Sequence, residues 1–358
     1  MTQVNHDELR TKALNVLAEY NKFVFGYNEI GSKLLIANIA GGVSHILTEG
    51  VPGLAKTHSV KTMTRCISDM TSVRIQFTPD MMPKEITGAQ ILDENRQNKI
   101  QWGPLLGVNN VVADEINRGK TNTQSALLEA MGEGQVTVAG VKKAVENPFT
   151  VLATQNPIEQ EGTNPLPEAQ HDRFLFKLTF DYAGWDDEML ILEHPELVDP
   201  SIYDKIQAQM SKAELLALRA HIMSTMNVSR TFNEYLLRVC RTTRPGKPEF
   251  EDFCKKHPNL ANTMKLVKVG VGPRALQGLQ RASRVQGFLF GKTEEGASRD
   301  YVKPADLKAL AHAVLRHRII MKEEASYQKT GAVTSDEVIT AIMDNIFPIE
   351  GDDNYKRG

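Results

Sequence analysis

His45-Ile-Leu-Thr-Glu-Gly50-Val-Pro-Gly-Leu-Ala-Lys-Thr57 is the stretch on which the reading of this chain turns. The short apolar run His45-Ile-Leu-Thr has strand character, the glycines and proline break it, and Lys56-Thr57 open a helical segment. A strand, a glycine turn and a helix in that order let backbone N–H groups and a helix N-terminus face a phosphate. Gly50 and Gly53 allow backbone conformations that other residues resist. Val51, Pro52, Leu54 and Ala55 complete the turn. Lys56 is expected to reach the β- and γ-phosphates, and the Thr57 hydroxyl to ligate Mg²⁺. The generic pattern has glycine before the lysine, and Ala55 requires a roomier turn there. Alone, the same residues also suit an ordinary Gly/Pro turn with a lysine by chance.

Working outward, four further segments read as strands: Val73-Arg-Ile-Gln-Phe77, which alternates, and the more apolar Val111-Val-Ala-Asp114, Thr150-Val-Leu-Ala-Thr154 and Phe174-Leu-Phe-Lys-Leu178. With helical segments between them they predict a three-layer α/β domain with a mainly parallel five-stranded sheet. Upstream, Leu9, Ala13, Val16, Leu17 and Tyr20 share a helical face, and Leu34 to Ala40 is a second helix stopped by Gly41-Gly42. Val136 to Val141 predicts a hairpin turning at Ala139-Gly140. Beyond residue 185 strand signals fade. Ser211-Lys-Ala-Glu214 and Thr334-Ser-Asp-Glu337 are capping-box patterns, and Pro304 suits the first turn of a helix. The expected organisation is an α/β domain over 1–185 and a helical domain over 186–358. Part of the proline-bearing segment from Thr243 to Pro258 reads as loop.

Composition narrows the function. The 358 residues are 41% hydrophobic and 24% charged with a net charge of −2, so no global basic field draws the chain to nucleic acid. Three scattered cysteines, Cys66, Cys240 and Cys254, suit a reducing compartment and lack metal-type spacing. The N-terminus lacks a signal-peptide pattern, and no run reaches the roughly 18 apolar residues of a membrane span. A cytoplasmic location is expected.

Asp114 and Glu115 end an apolar strand, where an acid faces the ligand crevice of an open α/β sheet. Asp114 is expected to hold the metal, and Glu115 to orient or deprotonate an attacking water. Solvated acids at a strand end would look alike; the position after the phosphate loop, one strand removed, favours the pair. Asn156, after the next strand, could hold that water, and the same Asn156-Pro157 is also a turn signal. Arg173 could stabilise charge on a neighbouring subunit's γ-phosphate, or simply pair with Asp172. Arg274 opens a helix, where a cation is disfavoured by the dipole unless something anionic lies nearby.

Together these features resemble the AAA+ ATPases and, among them, the MoxR family. The resemblance is carried by Glu49 to Thr57, Arg74-Ile-Gln-Phe-Thr-Pro-Asp80, Ala113-Asp-Glu-Ile-Asn-Arg118, Gln124-Ser-Ala-Leu-Leu-Glu-Ala-Met131, Ala153-Thr-Gln-Asn-Pro157, Pro165-Leu-Pro-Glu-Ala-Gln170 and Asp172-Arg-Phe174. More thinly, it includes Arg244-Pro245, Gly272-Pro-Arg-Ala275 and Ala313-Val-Leu-Arg-His-Arg318. Ala55 matches this family's version of the loop. The resemblance implies an ATP-hydrolysing, ring-forming protein, usually hexameric, binding ATP and Mg²⁺. Lys56 and Thr57 would be the Walker A pair and Asp114 and Glu115 the Walker B pair. Asn156 would be the first sensor, Arg173 a finger acting in trans and Arg274 the second sensor, on a lid. An insert in the second helix would fall within about 80–104, where Met81, Met82 and Trp102 contact a client or pack on their own domain. Such proteins remodel or mature partner complexes, often beside von Willebrand factor A domain proteins. A DNA-directed motor is the alternative, for which Arg238, Arg241, Arg244 and Lys247, and Arg316, His317, Arg318 and Lys322, would be the contacts.

Overall fold

The computed structural model describes residues 6–42, 44–50, 55–155, 163–293, 299–327 and 332–348. The chain divides into two compact units, 1–220 and 221–358.

The first unit is built on a five-stranded sheet of β1 (His45–Glu49), β2 (Ser72–Gln76), β3 (Asn110–Asp114), β4 (Thr150–Gln155) and β5 (Phe174–Thr179). Its order is β5-β1-β4-β3-β2, and every pair is parallel. Parallel strands are covered on both faces and therefore read as continuous apolar runs. Ile46, Leu47, Val111, Val112, Ala113, Val151, Leu152 and Ala153 are all at most 1% exposed. One face packs on helix α4 (Thr121–Glu133) through Leu127, Leu128 and Met131. The helices α1 (His6–Tyr20), α2 (Asn28–Ala40) and α3 (Lys56–Arg65) complete this unit's helical frame. The periodic face of α1 is buried as expected, from Leu9 through Tyr20.

The register makes four strands end at one level. Glu49 lies opposite Gln155, Ala113 opposite Ala153, and Gln76 opposite Asp114. The carboxyl ends of β1, β4, β3 and β2 therefore form one rim, the position at which open α/β sheets bind ligands.

The hairpin at Ala139-Gly140 forms, between strands Gln135–Val138 and Val141–Ala144, with both turn residues at positive φ. The 80–104 region holds a short helix, Pro83–Thr87, and a second hairpin, Gly88–Leu92 with Asn98–Trp102. Met81 and Trp102 pack against the domain core, whereas Met82 is 51% exposed.

β5 is the last strand of the main sheet in chain order, and the first unit runs on to Ala220, with a short parallel pair of Ile67–Ser68 and Met210–Ser211. The following segment is tied back onto it. Gln207 N–H donates to Glu19 Oε1, Lys12 pairs with Glu214 at 2.7 Å, and Arg219 donates to the carbonyls of Asn38 and Ile39 at the end of α2. The division itself falls inside helix α5 (Lys212–Thr225). Ser211 and Glu214 cap that helix reciprocally, as their spacing predicts.

The second unit is helical, with α6 (Arg230–Thr242), α7 (Pro273–Phe290), α8 (Pro304–Leu315) and α9 (Ser335–Asn345). Pro248 and Pro258 begin two shorter helices rather than breaking one, since proline lacks only a donor that the first turn does not use. One small antiparallel pair, Val267–Val269 with Ile320–Met321, interrupts the helical pattern. Much of the basic sequence here serves the fold. Arg241 pairs with Glu249 at 2.6 Å, Arg244 donates to Val271 O, Arg316 pairs with Asp336, and Arg318 is buried. These observations weigh against a DNA-facing surface at those residues.

Candidate nucleotide site

The rim of β1, β4, β3 and β2 carries the candidate chemistry. At β1, Phe180 N–H donates to Glu49 O at 2.7 Å, and a Cβ on Gly50 would sit 2.4 Å from Phe180 O. Gly50 also has φ +150°, so both space and conformation require glycine. Val51, Pro52, Gly53 and Leu54 lie outside the described residues. Ala55 adopts φ 52°, ψ 19°, the left-handed region. The generic glycine at this place is therefore explained by conformation. An alanine tolerates the same geometry at a cost of about 1 kcal/mol. Ala55 has no side-chain acceptor and so offers no side-chain cap to the start of α3, the kind of helix end that can receive an anion.

Lys56 opens α3, and its Nζ donates to Gly50 O at 2.6 Å, above the ring of Phe180. Burial pushes the Lys56 ammonium below the ordinary lysine range, while Asp114, Glu115 and Glu49 act in the opposite direction. The ammonium is thus held at the Gly50 carbonyl, within the field of the acids. Thr57 follows on the same turn and is partly exposed.

Asp114 and Glu115 lie at the end of β3. Thr154, on the adjacent β4, donates its hydroxyl to Asp114 Oδ1 at 2.7 Å and accepts from Glu115 N–H at 2.8 Å. Arg74 donates from Nε and Nη2 to Asp114 Oδ2, at 3.0 and 2.6 Å. Gln76 Nε2 donates to Glu115 Oε2 at 2.8 Å, and Arg118 Nε lies 3.2 Å from the same oxygen. Glu115 itself is held at φ 53°, a strained conformation of the kind that clusters at functional sites. Just beyond it, the 3₁₀ turn Ile116–Arg118 is fastened by fully buried Gln124 of α4. The Gln124 amide donates to Ile116 O and Gly119 O and also to Asn164 O.

The sequence assigns no site role to Thr154, Arg74, Gln76 or Arg118. The signals lay in the quoted motifs themselves, Arg74-Ile-Gln76 and Thr154-Gln-Asn, but nothing in their spacing says that they meet the acids.

Asn156 lies outside the described residues. Arg173 donates Nη1 to Leu128 O of α4 and lies along that helix beside Gly132, where a Cβ would come within 3.0 Å of the same nitrogen. Its guanidinium is therefore bonded within its own unit. Arg274 is exposed in the first turn of α7, in the second unit.

A carboxylate at Asp114 and a hydroxyl at Thr57 are hard oxygen donors, which suit magnesium over softer metals. One carboxylate and one hydroxyl make no complete cage, as expected for an ion that keeps waters and takes phosphate oxygens. The donor set and the uncapped helix start fit a magnesium–nucleotide complex.

Comparison with known proteins agrees with this geometry. Residues 45–176 match the family described as "ATPase family associated with various cellular activities (AAA)", and residues 261–342 match the AAA lid domain. The uncharacterised protein YeaC of Bacillus subtilis is 36% identical over 90% of both chains. The chaperone MoxR1 of Mycobacterium tuberculosis is 36% identical over 86% of this chain and 75% of its own. The protein MoxR of Paracoccus denitrificans is 28% identical over 85% of this chain and 87% of its own. A solved structure from Cytophaga hutchinsonii, provisionally named an ATPase, superposes with a TM-score of 0.82 at 34% identity, covering 96% of this chain and 97% of its own. The parallel sheet with acids on its rim, the glycine-bearing sequence before α3, the helical lid and these relatives together show that the chain belongs to the MoxR family of AAA+ ATPases, nucleotide-binding proteins that hydrolyse ATP.

Proposed function

We propose that this chain couples hydrolysis of magnesium-bound ATP to the remodelling or maturation of partner protein complexes, as a cytoplasmic ring, usually hexameric, beside a von Willebrand factor A domain protein. The observation that carries the catalytic part is the common rim, on which Lys56, Asp114 and Glu115 stand at the ends of neighbouring elements. Val51 to Leu54, with Gly50 and Ala55, would wrap the phosphates. Lys56 would leave the Gly50 carbonyl for the β- and γ-phosphates. Thr57 and Asp114 would hold Mg²⁺, which when bound neutralises phosphate charge. Glu115 would orient the attacking water and accept its proton, and Asn156 would hold that water in line. Arg173 would exchange its bond to Leu128 O for a neighbouring subunit's γ-phosphate. Arg274 would act from the lid, with the nucleotide-binding domain over 1–185 and the lid domain over 186–358. The chaperone role is supported by the name of the Mycobacterium relative. Exposed Met82 and the hairpin behind it offer a surface for a client.

Glu115→Gln should bind ATP and stall. Tagged Glu115→Gln captured with ATP from lysate of the source cell should enrich specific proteins over Lys56→Ala. A von Willebrand factor A domain protein or an enzyme subunit among them supports the proposal. Nucleic acid or replication proteins would replace it with the DNA-motor reading. Unchanged ATP turnover in Glu115→Ala would remove the assignment of Glu115.

A further inference from the structure

Arg74 lies on the carboxylate that the preceding reading gives to the metal. Two of its nitrogens converge on Asp114 Oδ2, and Thr154 takes Oδ1, so both oxygens of Asp114 are engaged. The pair is not a core ion pair: the Arg74 side chain is 51% exposed and that of Asp114 18%. Arg74 stands on the edge strand β2, opposite Val112, and its side chain runs along the sheet to reach the strand end. A half-exposed pair of this kind adds little to stability. What it does at this place is supply one positive charge where a divalent cation is expected.

We propose that Arg74 is a stand-in cation: it neutralises Asp114 while magnesium is absent and must yield Oδ2 when the metal–nucleotide complex arrives, so that it sets how strongly nucleotide binding depends on magnesium. This rests on the reading of Asp114 as the metal-holding acid. The consequence follows from the signs of the charges. Without metal, the phosphates of a nucleotide face Asp114 and Glu115, and Arg74 cancels part of that repulsion. With metal, the Arg74 charge opposes the incoming cation. Removing it therefore weakens metal-free binding and strengthens metal-linked binding, and the two shifts add in the ratio of the dissociation constants.

The experiment measures binding of a fluorescent ADP analogue, which is not turned over, with excess Mg²⁺ and with EDTA. Full-length wild type, Arg74→Gln and Arg74→Lys are compared. The factor by which Mg²⁺ tightens binding should rise about tenfold in Arg74→Gln, within the usual range of coupling between two ligands. Arg74→Lys keeps the charge and should stay within about twofold of wild type. An unchanged or smaller factor in Arg74→Gln overturns the proposal. So does Arg74→Lys behaving as Arg74→Gln, which would make the planar shape and not the charge decisive. If Arg74 touched phosphate directly, both variants would bind more weakly in both conditions with the ratio preserved, which also overturns it. Wild type that binds ADP equally with and without Mg²⁺ would instead defeat the reading of Asp114.

Discussion

Thr154→Val exchanges a hydroxyl for a methyl group and leaves the side-chain volume nearly unchanged. Thr154 is 2% exposed, and its oxygen serves two partners: Asp114 Oδ1 at 2.7 Å and Glu115 N–H at 2.8 Å. A hydrogen bond to a charged group contributes about 1.5–3 kcal/mol, and a buried donor left unpaired costs about 1–3 kcal/mol. Asp114 keeps Arg74 on its other oxygen and is partly open to water, so the lower values apply. The expected loss is about 2.5 kcal/mol, roughly sixtyfold in the unfolding equilibrium. Urea unfolding of Thr154→Val followed by circular dichroism reads it, with ATP turnover measured in parallel. Turnover should fall more than ADP affinity, because the released groups orient Glu115. Thr154→Ser retains the oxygen and loses one methyl group, so it should stay within about 1 kcal/mol of wild type. A valine variant as stable as wild type, beside a serine variant that is weaker, would show that Thr154 contributes packing and that its two hydrogen bonds are immaterial.

Other consequences can be measured on the same protein. His45 is fully buried, with Nδ1 accepting from Val151 N–H and Nε2 donating to Met131 O, and burial holds its pKa down to about 4 from 6.5. The unfolded chain takes up this proton below pH 6.5 and the folded chain only near pH 4. Stability should therefore fall across that window by at most about 3 kcal/mol, and His45→Gln should flatten the slope of the urea midpoint against pH. Ala55→Gly relieves a left-handed alanine but frees the unfolded chain; its unfolding free energy in urea should match or exceed that of wild type by up to about 1 kcal/mol, while Ala55→Val should lose ADP binding. Asp306→Ala leaves the Arg299 guanidinium buried without its partner at 2.8 Å. It should destabilise the second unit by about 3–5 kcal/mol, seen in calorimetry as an earlier transition.

The inner strands of the sheet are legible in the sequence because they are buried on both faces and so are uninterrupted apolar runs, as in Val111 to Ala113 and Val151 to Ala153, whereas the edge strand β2 shows as an alternating pattern. The acids and the phosphate-type turn are legible because their chemistry is local: Asp114-Glu115 closes one strand and Gly50 leaves another. The hairpin Gly88–Leu92 with Asn98–Trp102 is not, since it is paired mainly with itself and leaves Ile91 and Leu92 open to solvent. Nor is the extent of the first unit, which depends on Glu19, Lys12 and Arg219 finding partners far along the chain.

By itself the sequence determined which residues could carry charge and where the backbone must bend. Only the tertiary structure decided which of them meet. Arg74, Asp114 and Thr154 lie on three strands, each about 40 residues from the next, and no helical or strand period relates them. Their contact is a product of parallel register, in which Gln76 falls opposite Asp114 and Ala113 opposite Ala153. Hydrogen bonding between strands sets that register, and the burial of both sheet faces holds it.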